Sequence, residues 1–129
     1  ITKAGQPVEL FLTPGSTADV STLQHYAFDL PPDSTVYADR GYNDYGFEDD
    51  LQAIDGIDLQ PMCKKNSKRP DPPWACYLQH HHRKRVETTG SSITRRFPKS
   101  IHAVTAVGFE LKIVLFVLAF SIHCLKVAT

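Results

Sequence analysis

From Ile101 to Leu125 the chain sets Val104, Val107, Leu111, Leu115, Leu118, Ile122 and Leu125 on one face of a helix, and its centre, Ile113 to Phe120, is apolar on every side. A helix of that kind has to be covered by something. The all-round apolar stretch is eight residues long, whereas a bilayer core needs about 20. The segment is therefore expected to be the buried core helix of a globular domain, with no membrane span. Cover must come from the rest of the 129 residues, of which 42% are apolar and 22% charged, enough for one core and too apolar for wholesale disorder. Three cysteines are too few and odd in number for a disulfide-stapled secreted scaffold. The chain opens at Ile1, with no basic and apolar leader, and reads as a piece of a longer protein or a processed product.

A net charge of zero conceals a strong segregation. Ile1 to Met62 holds eleven acids against Lys3 and Arg40, a balance of −9, and Cys63 to Thr129 holds twelve bases against three acids, a balance of +9. A basic half points to a polyanion partner, and an acidic half beside it suits a divalent cation. The plain alternative is two oppositely charged faces that help each other fold.

Local patterns predict an ordered series of elements. Val8 to Leu12 alternates like a strand. Asp19 to Phe28 reads as a short helix with Val20, Leu23 and Ala27 on one face, and Thr35 to Ala38 as a β-prone run ending at Asp39-Arg40-Gly41-Tyr42. Tyr45 to Ile54 is an acidic helix with Phe47, Leu51 and Ile54 inward, closed by Gly56, and Ile57 to Met62 is another strand. Residues 64–73, basic and broken by three prolines, form a loop. His80 to Phe97 is helical, with Val86, Gly90, Ile93 and Phe97 recurring, until Pro98 stops it. The order strand, helix, strand, helix, strand, helix, helix is that of an α/β layer architecture.

Three constellations have chemical content. Asp39 stands where a buried strand stops, which in an α/β sheet is the mouth of the ligand crevice. Gly41 allows a sharp exit turn and Tyr42 can pack back over the sheet; an ordinary turn acid is the simpler reading. Arg83, Glu87 and Thr94 share a helix face amid His80, His81, His82, Lys84 and Arg85. An intrahelical Arg83–Glu87 pair alone would be worth about 0.3–0.5 kcal/mol. A zinc site from Cys63, Cys76 and two of the three histidines can be drawn, but no spacing enforces it. Cys124, in the apolar helix, is expected in the core.

Several segments, in order, resemble the DDE-type insertion-sequence transposases of bacteria: Gly5-Gln6-Pro7-Val8-Glu9, Leu12-Thr13-Pro14-Gly15-Ser16, Asp19-Val20, Tyr37-Ala38-Asp39-Arg40-Gly41-Tyr42, Lys65-Asn66, Arg83-Lys84-Arg85-Val86-Glu87-Thr88 and the closing apolar helix. The resemblance covers nearly the whole chain. It implies the C-terminal part of an RNase H-like catalytic domain: a mixed sheet flanked by helices, incomplete at the N-terminal side. By resemblance, Asp39 matches the second acid and Glu87 the last acid of an Asp-Asp-Glu set that holds two Mg²⁺ or Mn²⁺ ions, and the two are expected to converge. Arg83 matches a basic position that such transposases often carry. His80 stands where a Tyr is expected, and Thr94 where a Lys sometimes occurs, although Arg95 and Arg96 adjoin it.

The family's first Asp and its N-terminal DNA-recognition region have no counterpart in these residues. The resemblance thus implies DNA transposition, by phosphodiester hydrolysis and strand transfer, as part of a longer transposase, with this piece inactive alone. Arg83, Lys84, Arg85, Arg95, Arg96, Lys64 and Lys65 would face phosphates of double-stranded DNA. The setting would be bacterial cytoplasm, at the nucleoid when DNA is bound, with a homo-oligomer allowed. Two alternatives stay open: a non-catalytic remnant with weak, non-specific DNA binding, and an interaction module that pairs through an exposed sheet edge.

Overall fold

Gly56 closes the element around which one part of the chain is organised. In the computed structural model, helix α2 (Tyr45–Asp55) ends with Gly56 at φ +66°, where a side chain would be strained, and its N–H returns to the Gln52 carbonyl. The opposite end is capped by Asp44, whose carboxylate accepts from the Phe47 N–H at 3.2 Å, while Glu48 reaches back to the Asp44 N–H at 3.3 Å. These two stops set the length of the crossover between strands β1 (Thr35–Ala38) and β2 (Asp58–Pro61). The strands pair in parallel, Thr35 with Asp58 through Ala38 with Pro61.

The structure describes residues 1–10, 12–62 and 65–128, and divides into two units: Thr13–Arg83, and Ile1–Leu12 together with Lys84–Thr129. The first unit is the β1–α2–β2 arrangement, preceded by helix α1 (Asp19–Gln24). Leu23, Leu51, Ile57 and Leu59 form its core, with Phe28, Leu30, Val36, Tyr42 and Phe47 packed around them. Ile57 is completely buried, whereas Ile54, expected inward, is 80% exposed. Ile54 lies at the last turn of α2, where the chain already swings away toward Gly56.

Helix α3 (Pro73–Arg96) starts seven residues before the expected His80. The prolines had suggested a loop through residue 73, but Pro73 sits at the first helical position, where its missing N–H costs nothing. The Ala75 and Cys76 amides donate to the Pro72 carbonyl. The division between the two units falls inside this helix, after Arg83.

In the second unit, Val8 to Leu12 does not form the expected strand among its described residues; Val8, Leu10 and Leu12 are exposed. A strand needs a ladder partner for its amides, and none runs alongside among the described residues. The segment is instead tied at Gly5, whose carbonyl accepts from the Thr89 hydroxyl at 2.8 Å. Thr89 is accordingly the buried residue of this part of α3, and the expected Val86 and Gly90 are exposed. Helix α4 (Ala106–Ala128) is capped by Thr105, whose hydroxyl accepts from the Gly108 N–H at 3.0 Å.

The largest correction concerns the side of α4 that is covered. Phe116 stacks on Phe97 at 4.7 Å and Phe120 is buried, so the packed face is the one carrying these two rings. Val107, Leu111, Leu115, Leu118, Ile122 and Leu125, expected to be core, are exposed. Both faces are apolar, so periodicity alone could not choose between them, and the aromatic face won the packing. Among the described residues α4 is also the one helix long and apolar enough, by length and composition, to cross a membrane.

Candidate functional site

Asp39 leaves the carboxyl end of β1 and caps a single 3-10 turn, Arg40–Tyr42, by accepting from the Arg40 N–H at 2.8 Å. Asn43 then pins that turn to the end of β2: its side-chain amide donates to the Arg40 carbonyl at 3.0 Å and the Met62 carbonyl at 2.9 Å. Gly41 matters for a reason other than backbone freedom. A Cβ there would lie 2.6 Å from an Asp19 carboxylate oxygen, so glycine lets the turn close against α1. Tyr42 folds back on the core as expected, and its phenol is pushed above its usual range by burial first, then by the nearby Asp19 and Asp39 carboxylates.

Helix α3 delivers two side chains to this turn. The His82 ring stacks on Tyr37 of β1, centroids 4.4 Å apart and planes 24° from parallel. The Arg83 guanidinium sits 3.7 Å from the Asp39 carboxylate and 3.9 Å from the Met62 sulfur. Asp39 and Arg83 are both about half-exposed, so the pair is open to solvent and to an incoming ligand. Chemically it presents one oxygen-donor carboxylate and one guanidinium, which suits a hard cation or a phosphate respectively.

Glu87 follows Arg83 by four residues on α3 and is exposed, as are Lys84, Arg85, Arg95 and Arg96. Asp39 belongs to one unit and Glu87 to the other. Arg95 and Arg96 occupy the last turn of α3, where cations also favour the helix terminus. Lys65 is exposed, and Lys64 and Cys63 lie outside the described residues. Among the described residues no group of three or more His, Cys, Asp or Glu side chains is gathered for a metal ion; the zinc arrangement includes Cys63, which lies outside them.

Part of the basic loop is held down on α2. Arg69 makes a two-pronged pair with Asp49, at 2.9 and 3.1 Å, and lies 4.7 Å above the Tyr45 ring. The Tyr45 hydroxyl shares a 2.6 Å hydrogen bond with Ser67 and accepts from the Lys68 N–H. The guanidinium hydrogen bond holds the Asp49 carboxyl below its usual range, while burial raises that of Glu48. An open polar cleft of about 250 Å³ runs beside this loop, lined by Tyr45, Asp49, Asp58, Gln60 and Arg69.

Neither the Tyr37–His82 stack nor the Asn43 clasp was anticipated from the sequence. The HHHR run had suggested charge or metal binding, and three consecutive histidines gave no sign of which imidazole would turn toward the sheet. Comparison with family models, curated proteins and solved structures finds no match.

Proposed function

We propose that this chain is the C-terminal part of a metal-dependent DNA transposase with an RNase H-like catalytic domain. The observation that supports this reading most is the Asp39 carboxylate at the carboxyl end of β1 with the Arg83 guanidinium 3.7 Å away. Asp39 and Glu87 are the proposed metal ligands, both oxygen donors of the kind that Mg²⁺ and Mn²⁺ take. They are too few for a complete site, and the remaining ligand would come from elsewhere in the full protein. Held there, such ions would supply the positive charge that helps activate an attacking oxygen and stabilise a leaving one. This chain's own contribution is to hold phosphates with Arg83, Lys84, Arg85, Arg95 and Arg96 and to orient the backbone for displacement. Lys64 and Lys65 extend the same phosphate-facing set.

Anisotropy titration of duplex DNA against the 129-residue chain tests the reading. Affinity should fall with salt at a log–log slope of about −0.9 per neutralised phosphate. It should rise with Mn²⁺, and that rise should vanish in Asp39→Asn. DNA binding indifferent to metal would favour the non-catalytic remnant, and no binding at all would remove the transposase reading.

A second reading, an interaction module pairing through its sheet, is favoured by one observation. The sheet has two strands, so among the described residues β1 and β2 each present an edge.

A further inference from the structure

Helix α3 begins with its amphipathic order reversed. In its first turns the small Ala75 and the polar Gln79 are the buried residues, whereas Trp74 and Tyr77 are each 68% exposed. The inner side is already filled: Gln79 donates to the Asp71 carboxylate at 2.8 Å, and His82 lies on Tyr37. At 3.6 residues per turn, Trp74, Tyr77 and His81 fall within about 60° of one another around the helix. The Tyr77 and His81 rings are nearly parallel, 22° between planes with centroids 6.2 Å apart. All three belong to the Thr13–Arg83 unit and all three are exposed. The charge along this stretch is of one sign: from Pro72 to Val86 the chain carries three histidines, Arg83, Lys84 and Arg85, and no acid. We infer that Trp74, Tyr77 and His81 form a stacking face for the unpaired bases of single-stranded DNA.

The occupant follows from rings and charge taken together. A single strand offers a flat base and a phosphate at every nucleotide, and aromatic side chains hold such bases whatever their sequence. A duplex offers phosphates, but its bases are stacked on one another and present only their edges. An acidic peptide matches the charge and lacks the planar faces, and a neutral bilayer leaves the cations without a partner. Cations for the phosphates come next in the chain, because Lys84 and Arg85 stand three and four residues past His81. Such residues neutralise the backbone while the rings take the bases.

This face is distinct from the Asp39–Arg83 pair, which meets at the end of β1. Stacking on exposed rings needs no metal and no carboxylate. The choice of DNA over RNA rests on the proposed function; the stacking itself does not.

Trp74 is the one tryptophan of the chain, so its emission reports on this face alone. Titrating the full chain with an oligothymidylate of about 12 nucleotides should quench that emission to a plateau. An abasic oligomer of the same length should bind more weakly by about fivefold or more, without quenching. Tyr77→Ala should weaken oligothymidylate binding by about fivefold or more, and Tyr77→Phe should restore it. Far-UV circular dichroism should match for the three chains. Equal binding of the abasic oligomer, no quenching, or an unaffected Tyr77→Ala would each overturn the inference. So would a preference for oligouridylate, which would make the ligand RNA, or an emission shift with phosphatidylcholine vesicles in place of quenching by DNA. Duplex binding that survives any of these results leaves the transposase reading standing. Quenching by the single strand without duplex binding removes that reading and keeps the stacking face.

Discussion

Arg83 and Asp39, 44 positions apart in the chain, meet with guanidinium and carboxylate 3.7 Å from each other at the end of β1. The intrahelical alternative for Arg83 was Glu87, one turn along α3. The neighbour of Arg83, His82, reaches the same sheet: the ring stacks on Tyr37 of β1, two residues before Asp39.

That geometry predicts a separation of binding from stability. An ion pair with both partners about half-exposed contributes at most about 1 kcal/mol, and commonly less. Arg83→Gln should therefore shift the urea midpoint only slightly while lowering duplex DNA affinity and making the salt slope shallower by about one phosphate. His82→Ala should lower stability by about 0.5–1.5 kcal/mol through the lost stack and weaken DNA binding as well. Equal affinity of Arg83→Gln and the parent chain at low salt would remove Arg83 from the interface.

The clamp of the basic loop should open in acid. Arg69 holds the Asp49 carboxyl below its usual range, so the folded form binds this proton less readily than the unfolded chain. The stabilisation is then present above the unfolded value, about 3.9, and is lost as pH falls through the lower folded value. Glu48 acts in the opposite direction, because burial raises its carboxyl. Limited proteolysis at Lys65 or Lys68 should accelerate below about pH 4. In Asp49→Asn the loop should already be cleaved at neutral pH as fast as the parent chain is in acid, and a slow neutral-pH cleavage of that variant would remove the clamp.

Two glycines should respond to alanine with opposite signs. Gly56→Ala forces a side chain into a left-handed turn at φ +66°, and should cost about 1–2 kcal/mol. Gly90 lies within α3 with open space around it, so Gly90→Ala should stabilise by up to about 1 kcal/mol through helix propensity. Urea midpoints at constant slope would decide both, and a stabilising Gly56→Ala would contradict the observed cap.

The strand–helix–strand part was legible because its local signals agree. Thr35 to Ala38 is β-prone, Asp44 and Gly56 bracket α2, and Ile57 to Leu59 alternates toward the core. Each local preference points to the same tertiary arrangement. Where two local solutions were equally good, the sequence could not choose. The α4 segment has apolar residues on both sides, and only the Phe97–Phe116 stack decides which is inner. Val8 to Leu12 has the composition of a strand, but strand formation depends on a neighbour the pattern cannot see. For the candidate site, Asp39 and Arg83 were legible as separate residues, and their pairing was not, because it joins distant segments.

Burial at the end of α2 supplies the sharpest check on the core itself. Ile54 and Ile57 are three residues apart; Ile54 was expected inward, yet it is 80% exposed, and Ile57 is the one fully buried. Ile57→Ala removes side-chain carbons packed among Leu23, Leu51 and Leu59, and should cost about 2–5 kcal/mol by lost transfer energy plus the cavity left behind. That is a large share of the 5–15 kcal/mol that whole domains possess, so the Thr13–Arg83 unit should melt far earlier. Ile54→Ala should stay within about 0.5 kcal/mol of the parent. Chemical denaturation followed by circular dichroism measures both, and equal costs at the two positions would mean that α2 packs with a different rotation.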